Sequence, residues 1–499
     1  MIDDAMEVLD GLDENQKSAA KAISGPVAIV AGAGTGKTRT ITHRIAYAVR
    51  SSAWKSNEVL AVTFTAKAAR EMLERLGALG ISDATVATFH SCALRQLLKF
   101  WPKYVGRDVP KLETNKLPHI IDAAEYHDFE ISTAEASAIA DEISWAKVSL
   151  ISPSQYPAIA ETSQRNIAAP ISATSFARIF STYDDIKSER GLIDFEDVLL
   201  LMIYVIHKFQ EVRDAIRDEF KHIIVDEYQD VSPLQQTLLE AWLGPSRELC
   251  VVGDPSQTIY SFTGATPEFL LNFKDKFKPK YPNQTAPERV NLINDYRSSP
   301  QIVRLANRIL KLRGREGFEP LKLTSKAKDE GKSVVWKEYP NDVEEAKRTA
   351  QMIAKLLDSS AFRIEDIAIL ARTNLQLQVF ATELRAMKIP CFIKKDDRHI
   401  REVEQDKEVN FSSGVALVSL HSSKGLEWEC VFLVGLSDGQ VPISRAKDEY
   451  AIEEERRLLY VGVTRAKRQL VMSFSRAKLP DSRANRMRSR FLDKVWPAS

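Results

Sequence analysis

Cysteine is scarce in this chain, and the few cysteines are far apart. They stand at Cys92, Cys250, Cys391 and Cys430, and no two of them have C-x-x-C spacing. This distribution argues against a zinc site, an iron–sulfur cluster and a disulfide framework. The eight histidines show no metal-ligand spacing either. We therefore expect a protein of the reducing cytoplasm.

Long apolar runs and an excess of one charge are also missing. No apolar run reaches membrane-spanning length, and the N-terminal M-I-D-D-A-M-E lacks the apolar core of a signal peptide. We expect neither secretion nor a membrane partner. The 69 Lys and Arg balance 68 Asp and Glu, so any polyanion site must be local. One local candidate is the stretch 465–490, where Asp481 is the single acid among nine basic residues.

The chain does contain many short apolar segments that alternate with helix-compatible segments. A length of 499 residues favours two to four domains. Alternation of this kind indicates an α/β fold with doubly wound parallel sheets. The clearest predicted strands are residues 27–31, 59–64, 222–227 and 249–254 in the first half, and 333–339, 366–371, 415–420, 430–436 and 469–474 in the second. Residues 91–215 have a helical period instead, which indicates an insertion.

A glycine-rich loop, A-G-A-G-T-G-K-T at residues 31–38, lies between a predicted strand and a predicted helix. This is the context of a P-loop, whose backbone amides hold phosphate. In such a loop Lys37 reaches the β- and γ-phosphates of a nucleotide, and the hydroxyl of Thr38 holds Mg²⁺. The first glycine of the usual pattern is replaced by Ala31.

An acidic pair stands at the end of another predicted strand, in V-D-E-Y-Q-D at residues 225–230. Beside a P-loop, Asp226 is predicted to hold the metal, and Glu227 to polarise the attacking water. A further strand ends in V-V-G-D-P-S-Q-T-I-Y-S-F-T-G-A at residues 251–265. There Gln257 is suited to sense the γ-phosphate and pass its state to the neighbouring aromatics. The alternative is that these aromatics only pack beneath a loop.

The order of these segments resembles that of superfamily 1 helicases of the UvrD/Rep/PcrA type, from about residue 10 to about residue 495. The three segments above correspond to the P-loop and to motifs II and III of that family. The other matching segments are L-D-E-N-Q-K-S-A-A (12–20), A-V-T-F-T-A-K-A-A-R-E-M (61–72), T-F-H-S (88–91), I-D-F-E-D-V-L (193–199), N-D-Y-R-S-S-P (294–300), A-I-L-A-R-T-N (368–374), V-S-L-H-S-S-K-G-L-E-W (418–428) and E-E-E-R-R-L-L-Y-V-G-V-T-R-A-K (453–467).

The resemblance implies a nucleotide site that binds ATP with Mg²⁺. By that likeness Gln16 reads the adenine edge, Tyr296 stacks on adenine and Glu427 binds the ribose. Arg297 and Arg465 reach the γ-phosphate from the second half of the chain. The remaining residues implied at this site are Ala33, Gly34, Thr35, Gly36 and Arg39 of the P-loop region.

The resemblance also implies a single-stranded DNA site. Aromatic side chains that stack on bases are typical of proteins that bind single strands. The predicted base-stacking residues are Phe64, Phe195, Tyr260 and Phe262. The other predicted DNA contacts are Thr65, His90, Arg372, Asn374 and His421.

The sequence departs from the family at three places. The family usually has an arginine or similar group where Thr263 stands, and an asparagine where Asp295 stands. It also carries a large helical insertion in its second core domain, and here only about residues 390–415 fill that gap. These residues are highly charged and too few to form a domain.

We thus predict two RecA-like parallel-sheet domains with one helical insertion. The first comprises residues 1–90 and 216–289, the insertion 91–215 and the second domain 290–499. The predicted function is an ATP-dependent DNA helicase or translocase on single-stranded and tailed duplex DNA, with 3′→5′ movement implied by the resemblance. Repair, replication and recombination all remain open as its role. The alternative is a nucleotide-gated subunit that works with a separate nuclease in a repair or antiphage complex. A third option is an RNA helicase.

Overall fold

Two six-stranded sheets, in which all paired strands are parallel, form the framework of the protein. The structure is a computed structural model, and it describes residues 2–163, 165, 167, 169–311, 319–328, 330–332, 334–394 and 414–497. The predicted α/β class with two RecA-like sheets is confirmed. In the described part of the chain, no helix is long and apolar enough to cross a membrane.

The first sheet has the strand order β3-β2-β6-β7-β1-β8. Its N-terminal elements are α1 (Ile2–Glu7), α2 (Glu14–Lys21), β1 (Val27–Ala31), α3 (Lys37–Arg50), β2 (Val59–Thr63), α4 (Ala66–Ala78) and β3 (Thr85–Thr88). Strand β1 is buried throughout because helices cover both faces of the sheet. Ala28 and Val30 join the core on one face, and Val27 and Ile29 join the core on the other.

The helical region that follows is built in two parts. It contains α5 (Phe89–Val105), β4 (Lys111–Leu112), α6 (Leu117–Glu125), α7 (Thr133–Val148), α8 (Tyr156–Thr162), α9 (Ala173–Glu189), β5 (Leu192–Ile193), α10 (Phe195–Lys208) and α11 (Gln210–Glu219). Helices α5 and α10 pack on the first sheet through residues such as Leu97 and Met202. Helices α6 to α9 enclose a core of their own, which includes Ile139 and Phe176. This second part thus has a hydrophobic core separate from that of the first sheet.

The first sheet is completed by a strand that the sequence did not predict. The elements here are β6 (His222–Val225), α12 (Pro233–Leu243), β7 (Leu249–Gly253), α13 (Glu268–Leu271), α14 (Phe273–Lys276) and β8 (Glu288–Leu292). Strand β8 pairs with β1, and it runs across the predicted domain boundary between residues 289 and 290. Three of its five residues are exposed, since β8 is an edge strand, and it therefore lacks an apolar run.

The second sheet has the order β11-β16-β15-β12-β14-β13. Its elements are β9 (Asn294–Asp295), α15 (Pro300–Lys311), β10 (Thr324–Ser325), β11 (Val335–Tyr339), α16 (Asp342–Asp358), β12 (Ile367–Ala371), α17 (Asn374–Ala386), β13 (Cys391–Ile393), β14 (Val415–Ser419), β15 (Trp428–Leu433), α18 (Glu449–Val463) and β16 (Ala466–Ser475). Strands β13 and β14 are adjacent and parallel. Of the predicted remnant at 390–415, residues 395–413 lie outside the described residues.

A buried carboxyl group links α16 to the second sheet. Glu345 accepts hydrogen bonds from the amide of Gly435 (3.0 Å) and the hydroxyl of Ser473 (2.5 Å). Burial outweighs these bonds and raises the pKa of Glu345 to about 7. The folded state therefore holds a proton on Glu345 at pH values where the unfolded chain has lost it.

We predict that Glu345→Gln removes a pH-dependent part of the stability. In the wild type, the contribution of Glu345 is fully present below pH 4.5 and is lost as the pH rises towards 7, by up to about 1.4 kcal/mol per pH unit. Urea unfolding of both proteins between pH 4.5 and 7.5 measures the difference. Equal slopes for the two proteins would contradict the assignment.

Candidate functional site

The glycine-rich loop lies between β1 and α3 and presents an open helix terminus. Gly36 has a φ of 77°, and within the described residues no side chain caps the helix that begins at Lys37. The first amides of α3 are thus available to an anion. Gly34 has a φ of 72°, and a Cβ atom there would lie 2.2 Å from a carboxylate oxygen of Asp295. The hydroxyl of Thr35 donates to the carbonyl of Gly32 (2.8 Å) and braces the loop.

The acidic pair predicted from the sequence lies next to this loop. The Nζ atom of Lys37 is 3.1 Å from a carboxylate oxygen of Glu227. Glu227 has a φ of 51°, a left-handed conformation that is uncommon for a residue with a side chain. The side-chain amide of Gln229 donates to the same carboxylate (2.5 Å). Strained backbone conformations tend to cluster at active sites.

The two carboxyl groups have opposite pKa shifts. Burial alone raises the pKa of Glu227, but the charges of Lys37 and Lys424 outweigh it and lower the pKa. Burial and the charge of Glu227 raise the pKa of Asp226. The carboxylate of Asp226 and the hydroxyl of Thr38 are oxygen donors of the kind that Mg²⁺ prefers. The residues present therefore fit a magnesium–phosphate group.

Two arginines of the second domain, Arg297 and Arg465, lie near each other, and Arg465 lies near Glu227. Arg297 forms an ion pair with Glu427, which also accepts from Lys467 (2.9 Å). The buried guanidinium of Arg465 donates to the carbonyls of Val461 (3.0 Å) and Leu426 (3.1 Å). Burial and the charge of Arg297 lower the pKa of Arg465 to about 10, so the group stays charged at neutral pH. Backbone carbonyls thus hold a charged guanidinium in place without neutralising it.

The residues predicted around the adenine are also neighbours. Gln16 donates to the carbonyl of Thr35 in the P-loop (3.0 Å). The backbone amide of Tyr296 donates to the carbonyl of Gly34 (3.0 Å), and its hydroxyl donates to Asp13 (2.5 Å), just before α2. Its ring is 45% exposed. Arg39 completes this group, since its Cβ atom lies 3.9 Å from the position that a Cβ atom would take at Gly36.

The segment after β7, residues 253–265, lies against the second sheet. Ile259 is fully buried in the core of that sheet, although it follows a strand of the first. The side chain of Gln257 donates to Asp254 (2.8 Å), and so does the hydroxyl of Tyr460 on α18 (3.4 Å). The Tyr460 hydroxyl also lies beside the backbone of Ala33 in the P-loop. A buried strand gives way to polar residues here because the chain crosses to the other domain.

Further bonds across the interface involve residues that the sequence analysis did not assign. The Nζ atom of Lys424 donates to Asp230 (2.5 Å) and to the carbonyl of Gln257 (2.6 Å). Arg457 donates to the carbonyl of Thr258 (2.8 Å). Lys424 and Arg457 stand in quoted family segments, but nothing in the sequence identifies partners some 200 residues away.

The aromatic residues predicted to contact DNA form two groups. In the first, Phe64 and Tyr260 are stacked with ring centroids 5.8 Å apart, and the ring of Phe262 packs edge-on to His421 (5.7 Å). Tyr260 also donates to the carbonyl of His421 (3.2 Å). Phe262 is 42% exposed, so packing beneath a loop does not account for it. This group spans both domains.

The second group contains His90, on α5, and Phe195, the first residue of α10. Their rings are stacked with centroids 4.0 Å apart. Thr65 caps α4 through a bond from the amide of Ala68 (3.1 Å). The amide oxygen of Asn374, at the start of α17, is buried and has no hydrogen-bond partner among the residues described.

Basic residues at two predicted sites form ion pairs in the structure. Arg372, predicted to contact DNA, forms a two-pronged ion pair with Glu455 on α18 (2.7 and 3.0 Å). Five of the nine basic residues of the stretch 465–490 form ion pairs, four of them with acids at least 40 positions away in sequence. These pairs are Lys467–Glu427, Arg476–Glu338, Arg486–Asp342, Arg488–Asp493 and Arg490–Asp438. A local basic field thus does not follow from the composition of this stretch.

Comparison with known families gives two matches that together span most of the chain. Residues 12–278 match the UvrD/REP helicase N-terminal domain. Residues 290–401 and 397–477 match the UvrD-like helicase C-terminal domain. The predicted resemblance is therefore confirmed by family models that cover both sheets.

Similar curated proteins include the ATP-dependent DNA helicase UvrD2 of Mycobacterium tuberculosis. It is 36% identical over 587 aligned positions, which cover 98% of this chain and 82% of the relative. That alignment is longer than the 499-residue chain, so part of the relative has no counterpart here. The ATP-dependent DNA helicase PcrA of Bacillus subtilis is 31% identical over 76% of this chain, but over only 49% of its own length. The chain belongs to the UvrD/PcrA type of superfamily 1 helicases.

Proposed function

We propose that the protein is an ATP-dependent DNA helicase that moves along single-stranded DNA with 3′→5′ polarity. One observation carries the proposal: a P-loop of the first domain faces two arginines of the second, and the adjoining segment 253–265 leads to an exposed aromatic group. The polarity rests on the family resemblance. The DNA helicases among its relatives support DNA as the substrate.

In this proposal the first domain binds the phosphates of ATP. The amides at the start of α3 and the ammonium group of Lys37 hold the β- and γ-phosphates. Thr38 and Asp226 would hold a Mg²⁺ ion, which neutralises charge on the phosphate oxygens. Lys37 leaves its ion pair with Glu227 to reach the phosphate, and this frees the Glu227 carboxylate for catalysis.

Hydrolysis then needs one base and several cations. Glu227 accepts a proton from the water that attacks the γ-phosphorus, and the bond between that phosphorus and the β–γ bridging oxygen breaks. Arg297 and Arg465 stabilise the charge that spreads over the transferred phosphoryl group. Such arginines can contribute roughly 10³–10⁵ in rate. Because they come from the second domain, they act only when the cleft is closed.

The segment 253–265 connects this chemistry to DNA. Gln257 senses the γ-phosphate, and Ile259 moves with the second domain because it is buried there. Tyr260 and Phe262 follow directly and stack on bases in the proposed complex, as His90 and Phe195 do farther along the first domain. Opening and closing of the cleft therefore changes the spacing between groups that hold the strand.

The test of the proposal is the rate of ATP hydrolysis with and without an oligodeoxythymidylate. The proposal predicts strong stimulation by the oligonucleotide and weaker stimulation by the matching RNA. Displacement of a bound protein from either end of the DNA then gives the polarity. A silent enzyme that hydrolyses ATP only after addition of a nuclease partner would favour a subunit of a larger complex.

We predict that Glu227→Gln retains ATP binding and loses turnover. The amide cannot accept the proton, and general-base loss costs roughly 10²–10⁴ in rate. Nucleotide binding is followed with a fluorescent ATP analogue, and turnover by phosphate release. Glu219→Gln, on the exposed ion pair with Lys99, is the control. Turnover of Glu227→Gln close to wild type would contradict the role of Glu227.

We predict that Phe64→Ala and Tyr260→Ala each weaken binding to single-stranded DNA. A lost stack costs about 1–3 kcal/mol per base, which is up to roughly a hundredfold in affinity. Fluorescence anisotropy of a labelled oligonucleotide measures the effect, and hydrolysis without DNA is expected to change less. Tyr281→Ala, another exposed aromatic, is the control. Wild-type affinity in both variants would mean that these rings only pack against protein.

We predict that Lys424→Met destabilises the protein by about 3–5 kcal/mol, because it leaves the carboxylate of Asp230 buried without its partner. Burial already outweighs the ion pair and raises the pKa of Asp230 to about 6. Asp230→Asn should therefore recover most of the loss when added to Lys424→Met. Urea unfolding is the measurement. Lys276→Met, at an exposed ion pair, should cost at most about 1 kcal/mol. Additive losses in the double variant would contradict this account.

A further inference from the structure

The first turn of α10 is held by lysines of the helical insertion. This turn carries Asp194, Phe195, Glu196 and Asp197 in succession. Its three acids are bonded to Lys116, Lys147 and Lys187, which lie before α6, on α7 and on α9. Phe195 is the one side chain of the four that faces His90 instead.

The two inner lysines are almost completely buried. The side chains of Lys147 and Lys187 are 4% and 3% exposed, and that of Asp194 is fully buried. Lys147 lies 2.8 Å from Asp194 and 2.7 Å from Asp197. Lys187 lies 2.7 Å from Asp194 and also bonds Asp197. Each lysine thus bridges the same two carboxylates from a different helix.

Asp194 and Asp197 also define where α10 begins. Asp194 accepts from the amide of Asp197 (3.0 Å), and Asp197 accepts from the amide of Asp194 (3.0 Å). These reciprocal bonds form a capping box around Phe195. A shift of either carboxylate would therefore turn the first residue of the helix, which is Phe195.

The same cluster does not suit a cation. Asp184, Asp194 and Asp197 are close enough to share one ion. However, the ammonium groups of Lys147 and Lys187 already lie between these carboxylates. We assign no metal to this position.

Stability alone does not account for so many buried charges. Removing charges from water is costly, and apolar residues of similar volume would hold the helices together at least as well. A fully bonded ionic network, in contrast, fits one arrangement of its helices, because a displaced ammonium would leave a carboxylate buried without a partner. The network is therefore suited to fixing the position of the first turn of α10 relative to α7 and α9.

The end of α7 supports the other aromatic group as well. Val148 follows Lys147, and its Cγ2 atom lies 2.6 Å from the position that a Cβ atom would take at Gly264. Gly264 has a φ of 83° and ends the turn that carries Phe262. The C-terminal end of α7 thus contacts both the turn that carries Phe262 and the helix start that carries Phe195.

We propose that Lys147 and Lys187 are positioning residues for DNA binding, which hold Phe195 in the orientation that stacks on a base beside His90. This inference rests on the proposed function. It names two residues of the insertion that act on DNA binding through Phe195 and do not contact DNA themselves. Replacement of either lysine should loosen the first turn of α10 and weaken the grip on single-stranded DNA.

The test compares Lys147→Met and Lys187→Met with Arg165→Met. Arg165 pairs with buried Glu142 (2.5 Å) inside the same insertion but away from α10. Melting temperature reports stability, and anisotropy with labelled oligodeoxythymidylate reports binding. Both lysine variants are expected to bind roughly 5- to 100-fold more weakly, the range for one lost stack. Arg165→Met should bind like the wild type even where its melting temperature falls equally.

Two further variants keep the inference testable if a lysine variant does not fold. Lys187→Arg keeps the charge but not the shape, so it should fold and still bind DNA more weakly. In a Phe195→Ala background, Lys187→Arg should add no further loss. Equal weakening by Arg165→Met, or a full additional loss in the Phe195→Ala background, would overturn the inference. A wild-type protein that does not bind the oligonucleotide would instead contradict the proposed function itself.

Discussion

The contact between the two sheets depends on charged groups that have been removed from water. Lys424 reaches across the interface to Asp230 and to the carbonyl of Gln257, and its side chain is 9% exposed. A buried ammonium group needs such partners, so the second domain can dock in few orientations. Asp230 belongs to the segment that carries Asp226 and Glu227, and Gln257 belongs to the segment 253–265. Both segments lie beside the P-loop. The geometry of the nucleotide site is thereby tied to the relative position of the two domains.

The same constraint explains the unusual composition of residues 251–265. Ile259 contributes its side chain to the core of the second sheet, and full burial of such a residue is worth about 1.5–3 kcal/mol. The polar residues before Ile259 follow the carboxyl end of β7 in the first sheet. The aromatic residues after it lie beside His421. A single short segment therefore contacts the nucleotide side, the partner domain and the aromatic group. Its mixed character follows from these three environments.

The parts of the fold that the sequence could predict are those with a local signal. Strands β1, β2, β6 and β7 are fully or largely buried and read as apolar runs, and the P-loop has a spacing that few other structures share. Strand β8 was missed because an edge strand needs no apolar run. The RecA-like fold and the helicase family are confirmed, whereas the roles of the individual site residues stay predictions.

What the sequence could not predict is pairing over long distances. Arg372 stands in a segment that resembles a DNA-contacting element, yet its guanidinium is bound by Glu455, 83 residues away. The basic residues of 465–490 meet acids such as Asp342 and Asp438 from other elements. Counting charges along the chain therefore overestimates the field at the surface. Lys147 and Lys187 were overlooked for the same reason, because their carboxylate partners come from another helix.

We propose that the segment 253–265 transmits the state of the nucleotide to the DNA site through the second domain. Coupling between two ligands is reciprocal, so it is measured as the factor by which a non-hydrolysable ATP analogue changes the affinity for single-stranded DNA. The most direct test is this factor in Arg457→Leu, which removes the bond from α18 to the carbonyl of Thr258. If the segment couples the two sites, the factor moves towards one while each ligand alone still binds. An unchanged coupling factor would contradict it.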